Sequence, residues 1–220
     1  APGTPVPTAV PTATRVPPTA DARFRTYLPV AFRNHCVPSR PFDLVLAIDT
    51  SSSMAGEKLT RAVEAARDLV AFLQLPPSRG AIVAFNSSAE IVKTWTDDRG
   101  ALLSALDRLP TGEGTRIDLA LRRARVLFES RESGGDREAV LVLVTDGKHA
   151  GSPLEDVYAE AAAFRRGDVK ATVYTVSIGA DAETDLLAYL AGDPARHFNA
   201  PSPADLLAIY RAIAGALPCD

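Results

Sequence analysis

Two stretches of the chain are apolar without alternation, and each stops abruptly at a polar tip. Leu44, Val45, Leu46, Ala47 and Ile48 run into Asp49, and Ala139 to Val144 runs through Thr145 into Asp146. Continuous apolar runs of this length predict strands buried on both faces of a parallel sheet. Elsewhere the apolar residues recur at helical spacing. Leu59, Ala62, Val63, Ala66, Leu69, Val70 and Leu73 mark a long helix that Pro76 and Pro77 stop, and Ile117, Ala120, Leu121, Ala124, Leu127 and Phe128 mark a second. Arg79 to Phe85 and Ala89 to Trp95 predict short strands joined through Asn86, Ser87 and Ser88 as an antiparallel hairpin. Those three residues also form an N-glycosylation sequon, but their types suit the turn. Further helices are predicted over Asp98 to Leu109, Leu154 to Arg166, Glu183 to Ala191 and Pro203 to Leu217, with strands over Ala171 to Ser177 and Arg196 to Asn199. This alternation predicts an α/β fold, a doubly wound and mainly parallel sheet of about six strands with helices on both faces and the hairpin strand as the antiparallel edge.

The tips of the apolar runs carry the chemistry. Asp49, Ser51 and Ser53 each offer an oxygen, and their i, i+2, i+4 spacing lets a tight loop turn all three toward one point. Hard oxygens without sulfur or imidazole suit Mg²⁺ or Mn²⁺. Serines after a strand also serve as helix N-caps, which is the plainer reading of these residues alone. Two later loops favour the metal. Thr115 stands in a Gly-rich turn, LPTGEGTRI, before the second amphipathic helix, and Asp146 ends the second apolar run. In an open parallel sheet all such tips lie on one edge, so Asp49, Ser51, Ser53, Thr115 and Asp146 are expected to converge.

The DxSxS sequence after the first strand, the Gly114-Thr115 turn and the Thr145-Asp146-Gly147 sequence after a later strand resemble the von Willebrand factor type A domain, and together they are similar to its metal-ion-dependent adhesion site. The resemblance spans about Arg40 to Leu217 and implies a Rossmann-like fold. It implies direct coordination by Ser51 and Ser53, alternating direct and water-mediated coordination by Thr115 and Asp146, and an anchoring role for Asp49. One position is left for an Asp or Glu carboxylate of a protein partner. The implied cation is Mg²⁺ or Mn²⁺, with Ca²⁺ a further hard cation of the same kind.

Composition narrows the alternatives. The 220 residues, 46% hydrophobic, suffice for one substantial core and an appendage. A net charge of −3 gives no footprint for nucleic acid, and no apolar run approaches the roughly 20 residues of a membrane helix. Residues 1–22 are rich in Pro and Thr and predict an extended, solvated stalk, followed by a leading segment over 23–40 and the domain over 41–218. Within that segment Phe24 to Phe32 is apolar and aromatic but broken by Pro29, and it is expected to lie against the domain, with disorder the alternative. The chain starts without a leader, which reads as a mature or excised segment of a secreted or cell-surface protein, with a bacterial composition. Cys36 precedes the first strand and Cys219 follows the last helix. Several domains of the resembled family close their termini this way. A disulfide there would shut a loop of roughly 180 residues, on the order of 5 kcal/mol in the chain-entropy account; the alternative is two free thiols in a reducing compartment.

Catalysis finds little support. The second acid of a haloacid-dehalogenase-type phosphatase is replaced by Ser51, and no Walker A, GxGxxG or GxSxG sequence is present. Among three histidines only His149 is expected on the ligand edge. Lys148, His149, Glu113 and Arg116 are close in sequence to Asp146 and Thr115, and are expected either as rim residues that select an acidic partner or as ordinary solvated loop. The expected function is metal-dependent protein binding outside the cell. The alternative is a structural, stalk-borne domain whose cation only stiffens it.

Overall fold

The computed structural model describes residues 41–131, 137–166, 169–180 and 182–216. The expected stalk, the Phe24 to Phe32 segment, Cys36 and Cys219 lie outside the described residues.

A six-stranded sheet forms the middle layer, in the order β3-β2-β1-β4-β5-β6. Its strands are β1 (Phe42–Asp49), β2 (Arg79–Phe85), β3 (Ala89–Thr96), β4 (Glu138–Thr145), β5 (Thr172–Ile178) and β6 (His197–Ala200). All neighbours pair in parallel except β2 with β3. The helices are α1 (Glu57–Phe72), α2 (Arg99–Leu106), α3 (Ile117–Glu129), α4 (Leu154–Arg166), α5 (Thr184–Ala191) and α6 (Leu206–Ala216).

The continuous apolar runs are explained by burial on two sides. In β1, Phe42, Leu44, Leu46 and Ile48 pack with α1, α2 and α6, while Val45 and Ala47 pack with α3, α4 and α5. Side chains alternate across a strand, so both faces of a central strand must be apolar. The parallel strands run from a lower to an upper edge and most helices return the chain downward; α2 carries it back up after β3.

Element ends follow local chemistry. Asp98 caps α2 by accepting from Ala101 N–H at 3.2 Å. That helix ends at Leu106, short of the expected Leu109, a residue that itself precedes Pro110 and so is disfavoured from the α conformation. The last helix opens as a 3₁₀ turn, Pro203–Asp205, capped by Ser202 and Asp205.

At the lower end of β1, Asp43 is buried and takes a two-pronged grip from Arg79, with Nε and Nη2 at 3.0 and 3.1 Å from the carboxylate oxygens. Arg131 and Arg137 stand 3.9 Å away. Six residues along the same face, at the upper end, stands Asp49.

Candidate metal centre

β1 delivers Asp49 to the upper edge with no exposed surface. The register that pairs Ile48 with Val144 sets Asp49 beside Thr145, whose Oγ1 donates to Asp49 Oδ2. Ser51 N–H donates to Oδ1 at 2.8 Å. The chain then bends through the 3₁₀ turn Ser52–Met54, with Met54 buried beneath it as a plug. Ser51 Oγ lies 3.0 Å from Ser53 Oγ, and Ser53 Oγ donates to Asp146 Oδ1 at 2.8 Å. Neither serine caps a helix through its side chain: Ser51 makes no capping bond to the 3₁₀ turn, and α1 is preceded by Gly56 at φ 84°.

Thr115 comes in from the loop before α3, buried, with its carbonyl accepting from Ala150 N–H at 3.0 Å. Gly147 follows Asp146 and leaves open the space where a Cβ would stand 3.2 Å from Thr115 Oγ1 and 3.9 Å from Ser53 Oγ. The Thr115 and Ser53 hydroxyls thus both lie against Gly147, beside the Asp146 turn. Among the described residues no three His, Cys, Asp or Glu side chains form a metal cluster; the donors here are two carboxylates and three hydroxyls. Five side chains that offer only hard oxygens fit an Mg²⁺-like cation.

Two residues to which the sequence assigns no role at the site make contacts that support it. Asn86 is buried at the β2–β3 turn; its Oδ1 accepts from Ser88 N–H at 3.0 Å and its Nδ2 donates to Thr50 Oγ1 at 3.4 Å. The nitrogen that a glycan would need is therefore turned inward, in keeping with the turn reading. Asn86 O accepts from Arg116 N–H at 2.7 Å and Ser87 N–H donates to Glu113 O at 2.6 Å, so this turn clamps the Thr115 loop from both sides. Lys58 is the second: from the first turn of α1 its ammonium pairs with Asp146 Oδ2.

Burial pushes the Asp49 carboxyl above its ordinary range; hydrogen bonds from Thr145 and Ser51 oppose this, and the nearby Asp146 charge adds to it. The carboxylate is solvated by neutral donors alone, without an arginine.

The four expected rim residues divide. Glu113 and Lys148 are exposed, and Glu113 accepts from Ser52 Oγ at 2.8 Å, closing the loop over the first serine turn. Arg116 is folded back onto Asp118 with bonds of 2.8 and 2.6 Å. Burial raises the Asp118 carboxyl, but the Arg116 fork outweighs it and holds that group below its ordinary value. The His149 side chain is 1% exposed. Its Nδ1 accepts from Ile117 N–H at 3.3 Å, and its Nε2 lies 3.0 Å from Ser152 Oγ. His149 therefore braces the start of α3 from inside, because the unpaired first N–H groups of a helix need acceptors.

Residues 43–212 match the von Willebrand factor type A domain. An uncharacterized protein of Synechocystis, sll0103, is 29% identical over 153 residues, covering 69% of this chain and 35% of the relative. The chain thus spans about a third of the length of that curated relative. The structure of proximal thread matrix protein 1 from the mussel byssus, with zinc in its MIDAS motif, superposes with a TM-score of 0.70 at 19% identity, covering 80% of this chain and 46% of that one. The von Willebrand domain of the type V pili tip protein Mfa5 from Porphyromonas gingivalis gives 0.68 at 16% identity, covering 82% and 96%. At these identities the likeness is one of fold. With the motif match across most of its length, the chain belongs to the von Willebrand factor type A domain family.

Proposed function

We propose that Asp49, Ser51, Ser53, Thr115 and Asp146 hold a divalent cation, Mg²⁺ or Mn²⁺, and that the loaded site binds an Asp or Glu carboxylate of a protein partner. The observation that carries this reading is the meeting of Ser51, Ser53 and Asp146 in one chain of contacts of 3.0 and 2.8 Å across 93 residues of sequence. When bound, the cation supplies a Lewis-acidic position for the partner's oxygen. The residues of this chain do the rest. Asp49 and Asp146 balance charge, the hydroxyls supply neutral oxygens, and the Asn86 turn and His149 hold the Thr115 loop in place. Exposed Glu113 and Lys148 are the side chains best placed to sort partners by charge.

Protein binding is the typical work of the family. A zinc-loaded MIDAS in one structural relative supports the metal, and a pilus-tip protein among the others, together with the Thr/Pro-rich residues 1–22, supports a position outside the cell. Among the described residues no helix is long and apolar enough to cross a membrane.

Calorimetric titration of Mg²⁺ and Mn²⁺ into EDTA-stripped protein, beside Asp49→Ala, tests the reading. Saturable binding lost in the variant is expected; equal binding by both proteins would sink it. A cation that only stiffens the domain predicts instead that Asp49→Ala still captures its protein partner in EDTA.

A further inference from the structure

We propose that Lys58 is the metal's built-in rival, holding Asp146 in the metal-free protein and setting the affinity at which a divalent cation takes that carboxylate. The inference rests on the metal reading above. Lys58 is the second residue of α1, where the positive end of the helix dipole disfavours a cation. Local helix preference therefore does not account for it; its long-range contact does. The ammonium reaches Asp146 Oδ2 across 88 residues, while Ser53 occupies Oδ1. Both oxygens of a carboxylate whose side chain has no exposed surface are thus engaged, one by a charge and one by a hydroxyl.

The charges of this cluster make the contact an exchange. Asp49 and Asp146 bring two carboxylates into one buried site, and the Asp146 charge adds to the cost of ionising Asp49. One ammonium balances one of them. A dication balances both, and an ammonium left against the same carboxylate would then face a double positive charge at contact distance. Lys58 is built to leave. Its side chain is 33% exposed, flexible and gripped at a single point, unlike the forked arginine on Asp43. It can swing into solvent without moving the backbone.

Lys58→Met keeps the aliphatic stem and removes the charge. In calorimetric titrations of EDTA-stripped protein it is expected to bind Mg²⁺ at least about tenfold tighter than wild type, the scale of losing one competing charge at contact distance in a partly buried site. Its thermal midpoint in EDTA is expected to fall, and saturating Mg²⁺ to restore it. Lys58→Arg retains the charge with a firmer grip and is expected to bind Mg²⁺ no better than wild type. Wild-type binding with equal or weaker binding by Lys58→Met would overturn the inference and leave the metal reading standing. If Lys58→Met is unfolded in EDTA, tighter binding by Lys58→Arg than by wild type does the same. No binding by wild type, Lys58→Met or Lys58→Arg would remove both, and binding by Lys58→Met alone would support both.

Discussion

β1 carries a buried carboxylate at each end, on the same face, and the two are satisfied in opposite ways. Asp43 at the lower edge receives the Arg79 fork, with Arg131 and Arg137 4 Å or less away. Asp49 at the upper edge receives a threonine hydroxyl and a backbone amide, and the charge that bears on it is that of another acid, Asp146. A buried charge paired with guanidinium is finished: it fixes strand and loop positions and has nothing left to offer. A buried charge held by neutral dipoles remains short of a counter-charge, which is the condition a cation site needs. The strand that anchors the fold and the strand that presents the site are one.

The contrast predicts different responses to removing each carboxylate. Asp43→Asn leaves three guanidinium groups around an uncharged amide, and urea unfolding is expected to show a loss of about 3 kcal/mol with Mg²⁺ affinity unchanged. An Asp43→Asn protein of wild-type stability would erase the distinction. At the other end, Mg²⁺ at 100 times its dissociation constant is expected to stabilise wild type by about 2.7 kcal/mol and to leave Asp49→Asn unmoved. The pH dependence sharpens this. Because the folded Asp49 carboxyl sits above its unfolded value of 3.8, its contribution to stability is full below that pH and is lost as pH rises through the folded value. In EDTA at pH 7 Asp49→Asn should therefore match or exceed wild type, with the difference shrinking on acidification. Thr145→Val takes away a buried donor to the charged Asp49 and is expected to cost about 2 kcal/mol in EDTA at pH 7, again fading in acid. Gly147→Ala tests the close approach at Gly147. Its Cβ would stand 3.2 Å from Thr115 Oγ1, and a severalfold drop in Mg²⁺ affinity is expected with less than about 1 kcal/mol of stability lost.

Much of this was legible in the chain, and the boundary of legibility is physical. Burial on two faces writes itself as unbroken apolar runs, so β1 and β4 stand out, and α4 spans Leu154–Arg166 as its pattern predicts. Shorter elements shift by a residue or so: β5 covers Thr172–Ile178 and β6 His197–Ala200, because one-residue offsets barely change a short pattern. Asp49, Ser51 and Ser53 announce themselves because their spacing is local. Lys58, Thr145 and Asn86 do not, since their partners lie 88, 96 and 36 residues away and only the folded register brings them together. His149 is the inverse case. Its neighbours in sequence suggest a rim, whereas the ring is drawn inside by the unpaired amide at the start of α3.

The position of β1 also bears on tension. The chain enters this strand at the lower edge, α6 ends there, and the oxygens of the site cluster at the opposite tip. A pull between the lower edge and anything gripped at Asp49 and Ser51 runs along β1 itself. That strand is flanked by parallel ladders of seven register pairs to β2 and seven to β4. Hydrogen bonds lying across the direction of pull share the load in shear, so drawing β1 out means breaking both ladders together rather than unzipping one bond at a time. Under the proposed function, a partner held at the tip of β1 would therefore load both ladders at once.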